Sequence, residues 1–275
     1  MKILHTVEEM RAACRTAGQL GLVPTMGALH DGHLSLVQAA RERCHTVAAT
    51  IFVNPTQFGP NEDFAKYPRN FERDAQLLEN RGVDLLFAPA TEEMYPAGAS
   101  TYVTVEGLSD RLCGGSRPGH FRGVTTVVSK LFHIIEPDVA FFGQKDAAQV
   151  AIIRRMVRDL NMAVEIVACH IVREADGLAM SSRNAYLNPE ERKSALALYQ
   201  ALQEIQARFD SGERSIDALI KAGKTKFGDD VRLDYLEIVD PDSLKPLDKL
   251  DKPALAAVAA FVGKTRLIDN ITLPG

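Results

Sequence analysis

Cysteine is scarce in this sequence, and its placement excludes two classes of protein. Cys14, Cys44, Cys113 and Cys169 lie far apart and form no C-x-x-C pair. This spacing excludes the usual zinc ribbon and argues against a secreted scaffold held by disulfides. We expect each cysteine to be a small buried hydrophobic residue, and we expect the protein to work in a reducing compartment, the cytoplasm.

Long hydrophobic runs are also missing. The most apolar region, residues 124–142, is interrupted by charged residues, a histidine and a proline. A membrane-spanning helix needs about 20 consecutive apolar residues, so we expect no contact with a membrane. The opening residues, MKILHTVEEMRAAC, contain only a brief apolar stretch before charges begin, which is unlike a secretory signal peptide.

Neither sign of charge dominates the chain. The formal net charge is -4 and no run is rich in lysine or arginine, which argues against nucleic acid as a partner. With 46% hydrophobic and 25% charged residues, the composition is that of a folded globular protein. Its 275 residues can form one large domain or two smaller ones with a substantial core.

The first 170 residues alternate between two patterns. Short apolar runs rich in β-branched residues predict buried strands, and most of the stretches between them have helical spacing. This alternation is typical of βαβ units and of a parallel sheet covered on both faces. The predicted strands are 21–24, 47–53, 84–88, 138–142 and 164–168; one helix follows Asp31 as its N-cap, and others cover 71–81, 123–135 and 146–160.

The last 100 residues are arranged differently. Helices predicted over 189–209 and 215–227 are followed by strands over 233–239, 257–262 and 265–271, with a hairpin turn at Gly263 and Lys264. Helices followed by strands predict a smaller α+β domain. We therefore divide the chain into an α/β domain, residues 1–173, and a second domain, residues 174–275.

Four polar clusters follow predicted strands. PTMGALHDGH, residues 24–33, follows the first strand, and NPTQF, residues 54–58, follows the second. GQKDAAQ, residues 143–149, follows the fourth, and MSSRN, residues 180–184, comes shortly after the fifth. Ligands of open parallel sheets bind beyond the carboxyl ends of the strands. The four clusters should therefore converge on one ligand site.

His30 and His33 lie three residues apart, so they share one face of a first helical turn. Gly27 and Gly32 allow the backbone to approach a ligand closely, and a helix N-terminus suits phosphate. Two imidazoles at this place can donate hydrogen bonds to an oxyanion. The alternatives are a zinc pair, for which no third ligand stands at a fixed spacing, and a helix cap with incidental histidines.

Lys145 and Arg183 are the cations that we expect to face phosphate groups, together with Ser181 and Ser182. The alternative is a solvated surface pair with a serine cap, which is the commoner fate of such residues. Asn54 and Gln57 flank Pro55 directly after a buried strand. Amides there can fix a small polar substrate without adding charge, although Asn-Pro also occurs in ordinary turns.

In this order and spacing, PTMGALHDGH, NPTQF, FGQKD with Gln149, and MSSRN resemble the pantothenate synthetase (pantoate–β-alanine ligase) family over essentially the whole chain. H-x-G-H alone is shared with other nucleotidylyl transferases and class I aminoacyl-tRNA synthetases, whereas the four motifs together are specific. Ala148 stands where the family more often has a second glutamine; Gln149 is kept.

The resemblance implies a Rossmann-like N-terminal domain of the H-x-G-H nucleotidylyl transferase type, a smaller C-terminal domain and a homodimer. It implies that (R)-pantoate, β-alanine and ATP give pantothenate, AMP and diphosphate through a pantoyl adenylate. ATP is then the co-substrate, and Mg²⁺ bridges its phosphates through water and substrate oxygens, without a protein metal cage. Residues 1–173 would bind ATP and pantoate, and residues 174–275 would contribute the MSSR phosphate motif.

The resemblance also assigns residues. His33 would be the proton donor, with His30, Lys145, Ser181, Ser182 and Arg183 as the other catalytic residues. The nucleotide would contact Met26, Gly27, Ala28, Leu29, His30, Asp31, Gly32, His33, Gly143, Gln144, Lys145, Asp146, Val172, Met180, Ser181, Ser182 and Arg183. Pantoate would be held by Gln57 and Gln149, near Asn54, Pro24 and Thr25, and Gln57 would also touch β-alanine.

Other functions remain open at this point. An H-x-G-H cytidylyltransferase acting on a phosphorylated acceptor is the main alternative. A tRNA synthetase is disfavoured because 275 residues without a basic patch leave little room for tRNA recognition. A nucleotide-binding regulatory module without catalysis is disfavoured because His30, His33, Lys145 and Arg183 are all kept.

Because an acyl adenylate hydrolyses, we expect residues 58–68 to form a mobile cover. The apolar residues 101–105 are a candidate interface strand of the dimer.

Overall fold

The computed structural model describes residues 1–60 and 62–274, which form two sheets with helices around them. The strands are β1 Lys2–Leu4, β2 Leu20–Val23, β3 Thr46–Thr50, β4 Leu85–Phe87, β5 Val139–Gly143, β6 Glu165–Cys169, β7 Val231–Val239, β8 Ala254–Val262 and β9 Thr265–Leu273. The α-helices are α1 Val7–Cys14, α2 Asp31–Arg43, α3 Phe71–Asn80, α4 Thr91–Met94, α5 Cys113–Ser116, α6 His120–Ile135, α7 Ala147–Asp159, α8 Pro189–Ser194, α9 Leu196–Asp210 and α10 Ile216–Lys224.

The first sheet is parallel and has the strand order β1-β4-β3-β2-β5-β6. The chain runs outward from β2 through β3 to β4, and later returns to place β5 on the other side of β2. The point between β2 and β5 is therefore the topological switch, where parallel sheets leave a crevice at the carboxyl ends of their strands. Central strands such as β2 are buried throughout, which explains their continuous apolar sequence.

The second sheet is antiparallel, with the order β7-β8-β9, and the hairpin at Gly263 joins its last two strands. The helices α9 and α10 pack on it around a separate cluster of buried residues that includes Leu202, Ile205 and Leu219. This confirms the fold class, a parallel α/β part with a smaller α+β part. The division at residue 173 stays a prediction.

Several sequence-based predictions about elements were wrong. His30, not Asp31, is the N-cap of α2, and Asp31 is its first helical residue. The helix predicted over 189–209 is two helices, α8 and α9, which meet at Ala195. β1 and α1 were not predicted. Residues 101–105 form no strand, because side chains of α6 hold this segment: Thr125 donates to the carbonyl of Val103 and Thr126 accepts from its amide.

The helix α6 approaches the carboxyl end of β3 closely. At Gly123, a Cβ atom would overlap the carbonyl group of Thr56, so only glycine allows this contact. The helix is thereby brought against residues 54–57, one of the polar clusters. The four cysteines are all free thiols, two of them buried. In the described part of the chain, no helix combines the length and the apolar character that crossing a bilayer requires.

Candidate active site

A cavity of about 230 Å³ lies at the carboxyl ends of β2, β3, β5 and β6. All four predicted clusters contribute to it, so the convergence expected from the sequence is present. The predicted residues that line it are Pro24, Thr25, Met26, His30, Gly32, His33, Asn54, Gln57, Gly143, Lys145, Asp146, Gln149, Val172, Met180, Ser181, Ser182 and Arg183. Of the other predicted residues, Leu29 packs into the core, whereas Asp31 is exposed. Gly27, Ala28 and Gln144 belong to the turns behind the lining and not to the lining itself.

The rings of His30 and His33 lie against each other, with centroids 4.1 Å apart. The amide of Gly32 donates to Nδ1 of His30 at 3.2 Å, and the amide of His30 donates to Nδ1 of His33 at 3.4 Å. A ring nitrogen that accepts from an N–H group carries no proton, so each neutral ring carries its hydrogen on Nε2. Both histidines are therefore Nε2–H donors. A side chain at position 32 would displace the His30 ring, because its Cβ would lie 2.8 Å from that ring.

Burial keeps both histidines neutral. It lowers the pKa of His30 to about 4 together with the nearby Lys145 ammonium, which is the smaller cause. Burial, followed by the neighbouring His30, lowers the pKa of His33 to about 3. At neutral pH the pair can donate hydrogen bonds but does not add positive charge to the site.

Asp74, on α3, holds the turn that leads to His30. Its carboxylate is 1% exposed and accepts from the amide of Ala28 at 2.7 Å and from that of Leu29 at 3.0 Å. Gly27 and Ala28 both have positive φ, 81° and 52°, so this turn is not a relaxed conformation for a non-glycine residue. The sequence analysis missed Asp74. The sequence does contain a pattern that indicates its buried position: Asp74 lies on the apolar face of α3, four residues before the buried Leu78.

A buried network orients Gln57. The side chain of Asn54 donates to Oε1 of Gln57 at 2.9 Å and to the carbonyl of Gly123 at 3.1 Å. Its own oxygen accepts from the hydroxyls of Thr56 at 2.9 Å and Tyr95 at 2.8 Å. The NH₂ group of Gln57 donates one hydrogen bond to Sδ of Met26 at 3.1 Å, and its second N–H is available as a donor at the cavity. Tyr95 was also missed, since it follows no predicted strand.

Arg117, in the turn between α5 and α6, and His120, the first residue of α6, are further lining residues that the sequence analysis missed. His120 bonds the carbonyl of Gln57 through Nδ1 at 2.8 Å and meets Arg117 at 2.9 Å through Nε2. Burial, followed by Arg117, lowers the pKa of His120 to about 4. Arg117 in turn donates two hydrogen bonds to Glu62, at 2.7 and 2.6 Å. The RPGH sequence offered no motif by which to find these residues.

The remaining cations also have carboxylate partners. Arg183 donates to both oxygens of Asp63, at 3.0 and 2.9 Å, and the Lys145 ammonium lies 3.5 Å from Asp146. Ser181 caps the one-turn 3-10 helix Ser182–Tyr186, because its hydroxyl accepts from the amide of Arg183 at 3.3 Å. Lys145, Ser181, Ser182 and Arg183 thus surround one end of the cavity with donors and positive charge.

The segment 58–68 lies at the edge of the cavity. Phe58 and Tyr67 line the cavity, and the ring of Phe58 contacts those of Phe64 and Tyr67. Glu62 and Asp63, through the ion pairs above, attach this segment to α6 and to the 180–184 cluster. Asn61, which the sequence analysis included in the cover, lies outside the described residues. Movement of the segment stays a prediction.

Comparison with known proteins gives consistent results. A family model described as pantoate-beta-alanine ligase matches residues 2–272. Pantothenate synthetase of Koribacter versatilis is 57% identical over 279 residues, which covers 99% of this chain and 96% of that protein. The crystal structure of pantothenate synthetase from Thermus thermophilus superimposes with a TM-score of 0.96 at 48% identity, covering 98% of this chain and 99% of that one.

A third comparison includes bound molecules. Pantoate-beta-alanine ligase from Francisella tularensis, complexed with beta-gamma ATP and beta-alanine, superimposes with a TM-score of 0.81 at 33% identity. The match covers 98% of this chain and 97% of that one.

Proposed function

The chain belongs to the pantoate–β-alanine ligase family, and we propose that it condenses pantoate with β-alanine in two steps at the cavity described above. The enzyme is an ATP-dependent ligase. In the first step a carboxylate oxygen of pantoate attacks the α-phosphorus of ATP, and diphosphate leaves with the electrons of the broken P–O bond. In the second step the neutral amine of β-alanine attacks the acyl carbon of the pantoyl adenylate. AMP leaves, and the nitrogen loses a proton.

The histidine pair supports the first step. Backbone amides donate to the Nδ1 atoms of both rings, so the Nε2–H groups on the other side are oriented before any ligand binds. We assign them to the phosphates, where they donate hydrogen bonds as negative charge builds up on the departing diphosphate. A full proton transfer from His33 would require the bound nucleotide to raise its pKa by about four units, from about 3 to 7.

The four groups at the other end of the cavity complete the phosphate site. We assign Lys145, Arg183 and the hydroxyls of Ser181 and Ser182 to the triphosphate, since positive charge and donors stabilise a transferring phosphoryl group. Arg183 and Lys145 must then exchange their carboxylate partners, Asp63 and Asp146, for phosphate oxygens.

We assign pantoate to the side of the cavity between Gln57 and Gln149. The buried network of Asn54 and Tyr95 fixes the amide of Gln57 with its oxygen engaged, and the N–H that does not donate to Met26 suits an acceptor such as a carboxylate or hydroxyl oxygen. Neutral amides bind the carboxylate without strong ion pairing, which leaves it nucleophilic. We also assign the same NH₂ group to β-alanine as it approaches the acyl carbon.

The residues also fit Mg²⁺ as a partner of the triphosphate. Asp146 lines the cavity with its side chain 47% exposed, and Mg²⁺ is usually held by one or two carboxylates with substrate phosphates and water. Among residues 1–60 and 62–274, no group of three histidine, cysteine or acidic side chains is arranged as a metal cage. Asp146 would therefore hold the ion together with the phosphates, and the ion would neutralise part of their charge.

The observation that carries the proposal is the meeting of the neutral histidine pair, the cationic end and the oriented Gln57 around one cavity. The test is release of diphosphate with each substrate omitted in turn. We expect release to require ATP and pantoate, and AMP formation to require β-alanine as well. Release that depends on CTP and a phosphorylated acceptor would instead identify a cytidylyltransferase and refute the proposal.

Three wider expectations remain proposals. We propose a homodimer, a cytoplasmic location, and a division of the chain into a nucleotide- and pantoate-binding part, residues 1–173, and a part that brings the MSSR motif, residues 174–275. Light scattering at working concentration tests the first: a monomeric mass would contradict it.

A further inference from the structure

Two adjacent residues of β9 are polar although they are almost completely buried. Asp269 is 3% exposed and Asn270 is 2% exposed. Polar side chains inside a protein need hydrogen-bond partners. Asp269 accepts from the amide of Asn270 at 2.8 Å, and the other side-chain partners of the two residues lie outside their own sheet. Each is bonded to a different segment that leads to the cationic end of the cavity.

Asn270 holds the turn that carries Lys145. Its amide nitrogen donates to the carbonyl oxygens of Gln144 and Lys145, at 2.9 and 3.0 Å, and its oxygen accepts from Nε2 of Gln144 at 3.3 Å. These carbonyls lie in the one-turn 3-10 helix Gln144–Asp146, directly after β5. The backbone position of Lys145 is therefore set from the second sheet.

Asp269 holds the turn that precedes the MSSRN cluster. Its two oxygens accept from both terminal nitrogens of Arg173, at 2.6 and 3.0 Å. The same guanidinium donates to the carbonyl of Gly177 at 3.0 Å, and the backbone of Arg173 bridges to Ala179. This closes the turn from which residues 180–183 emerge. Asp269 therefore acts on the direction in which Ser181 and Arg183 enter the cavity.

We propose that the Asp269–Asn270 dipeptide is a positioning element that fixes the spacing between Lys145 and the Ser181–Arg183 segment. The turn that carries Lys145 and the turn before residues 180–183 are held by the same strand. That strand is rigid because Asp269 and Asn270 pair with Val258 and Ala257 of the neighbouring strand. Catalysis by alignment is sensitive to shifts of about 1 Å, so a fixed spacing of the donors has a direct effect on rate. The inference rests on the proposed function, which assigns Lys145 and the Ser181–Arg183 segment to the triphosphate.

The first test uses Asn270→Asp, which keeps the size of the side chain but sets an acceptor against two carbonyl oxygens. We expect pantoate-dependent ATP–diphosphate exchange to lose about 10- to 100-fold in kcat, with the KM for pantoate unchanged. Asn270→Ala should lose less. If Asn270 only filled space, the isosteric aspartate would be the milder change, and this result would overturn the inference. Thr265→Val, at the other end of β9, is the matched control and should keep the exchange rate.

The second test is a double-mutant cycle, because residues that act through one another are not additive. Asn270→Ala should cause no further loss of exchange rate in a Lys145→Ala background. In an Arg183→Ala background, the fold-losses of the two variants should multiply. Asp269→Asn should show the reverse pattern. Losses that multiply in every combination would refute positioning, even if each variant is impaired.

Thermal denaturation shows whether each variant is folded, and Asn270→Ser replaces Asn270→Ala if the latter is not. A wild-type chain without pantoate-dependent exchange would refute the proposed function itself. If the wild type exchanges normally and the variants at Asp269 and Asn270 keep that rate, this inference alone is refuted.

Discussion

Replacing His33 distinguishes two ways in which this side chain can act on a departing diphosphate. A neutral imidazole donates a hydrogen bond from Nε2 at any pH well above its pKa, whereas an imidazolium donates its proton and is lost as the pH rises. His33→Ala removes both functions, while His33→Gln keeps an N–H donor that does not titrate. His45→Ala, exposed just beyond the far end of the same helix, is the control.

The structure gives the size of the difference. With a pKa of about 3, His33 is protonated in about one molecule in 10⁴ at pH 7, and charging it costs on the order of 5 kcal/mol. A phosphate charge at about 4 Å returns on the order of 4 kcal/mol near a protein surface. The cations Lys145 and Arg183 reduce that gain, so we expect the ring to remain mainly neutral when ATP is bound.

The assay is ATP–diphosphate exchange in the presence of pantoate, measured between pH 6 and 9. We expect His33→Ala to lose about two to three powers of ten, the range for removal of one transition-state donor. His33→Ala and the wild type should have pH–rate profiles of the same shape. His33→Gln should exchange faster than His33→Ala, because it keeps an N–H donor. The reasoning is refuted if the wild-type rate falls with rising pH and this fall disappears in His33→Ala.

Other changes test the surroundings of the pair. Asp74→Asn should slow exchange and lower the free energy of unfolding by about 2 kcal/mol in a urea titration, because one amide of the turn loses its charged acceptor; normal exchange would contradict its role. Gln57→Ala should raise the KM for pantoate more than that for ATP, and an unchanged pantoate affinity would place pantoate elsewhere. Amide exchange in residues 58–68 should slow when ATP and pantoate are both bound, and equal rates would remove this segment as a cover. Stability should be complete above pH 6.5 and fall toward pH 4, because the unfolded chain protonates His30, His33 and His120 before the folded chain does; His120 alone costs about 2 kcal/mol at pH 5, and an equally steep curve for His120→Gln would contradict its share.

The main sheet and the ligand edge could be predicted because buried parallel strands are continuous apolar runs that end abruptly in polar residues. β2, β3 and β5 have this form. β1 has only three residues, too few for a periodic signal. The helix after it did carry a signal, since Thr6 and Glu9 form a capping box, but that pattern is short and common.

The site was predictable where chemistry lies in contiguous motifs and not where it depends on folding. Lys145 comes two residues after β5, and Gln57 comes in the polar segment that follows β3. Asp74, Tyr95 and Arg117 reach the site through tertiary packing, and nothing in their immediate sequence distinguishes them from ordinary helix and loop residues. The capping error at Asp31 has a similar cause: aspartate is the usual cap, but here an imidazole nitrogen accepts the bond.

The carboxylate partners of the cations have a consequence for how the enzyme meets its nucleotide. Arg183 and Lys145 already hold Asp63 and Asp146, so a triphosphate bound as we propose would displace protein anions and would not fill an open positive field. Few dissolved counterions are then released on binding, and the affinity for ATP should depend on ionic strength less steeply than the number of cations suggests. An isolated monoanion cannot compensate for separating these pairs. We therefore expect the site to select a ligand that brings several negative charges at once.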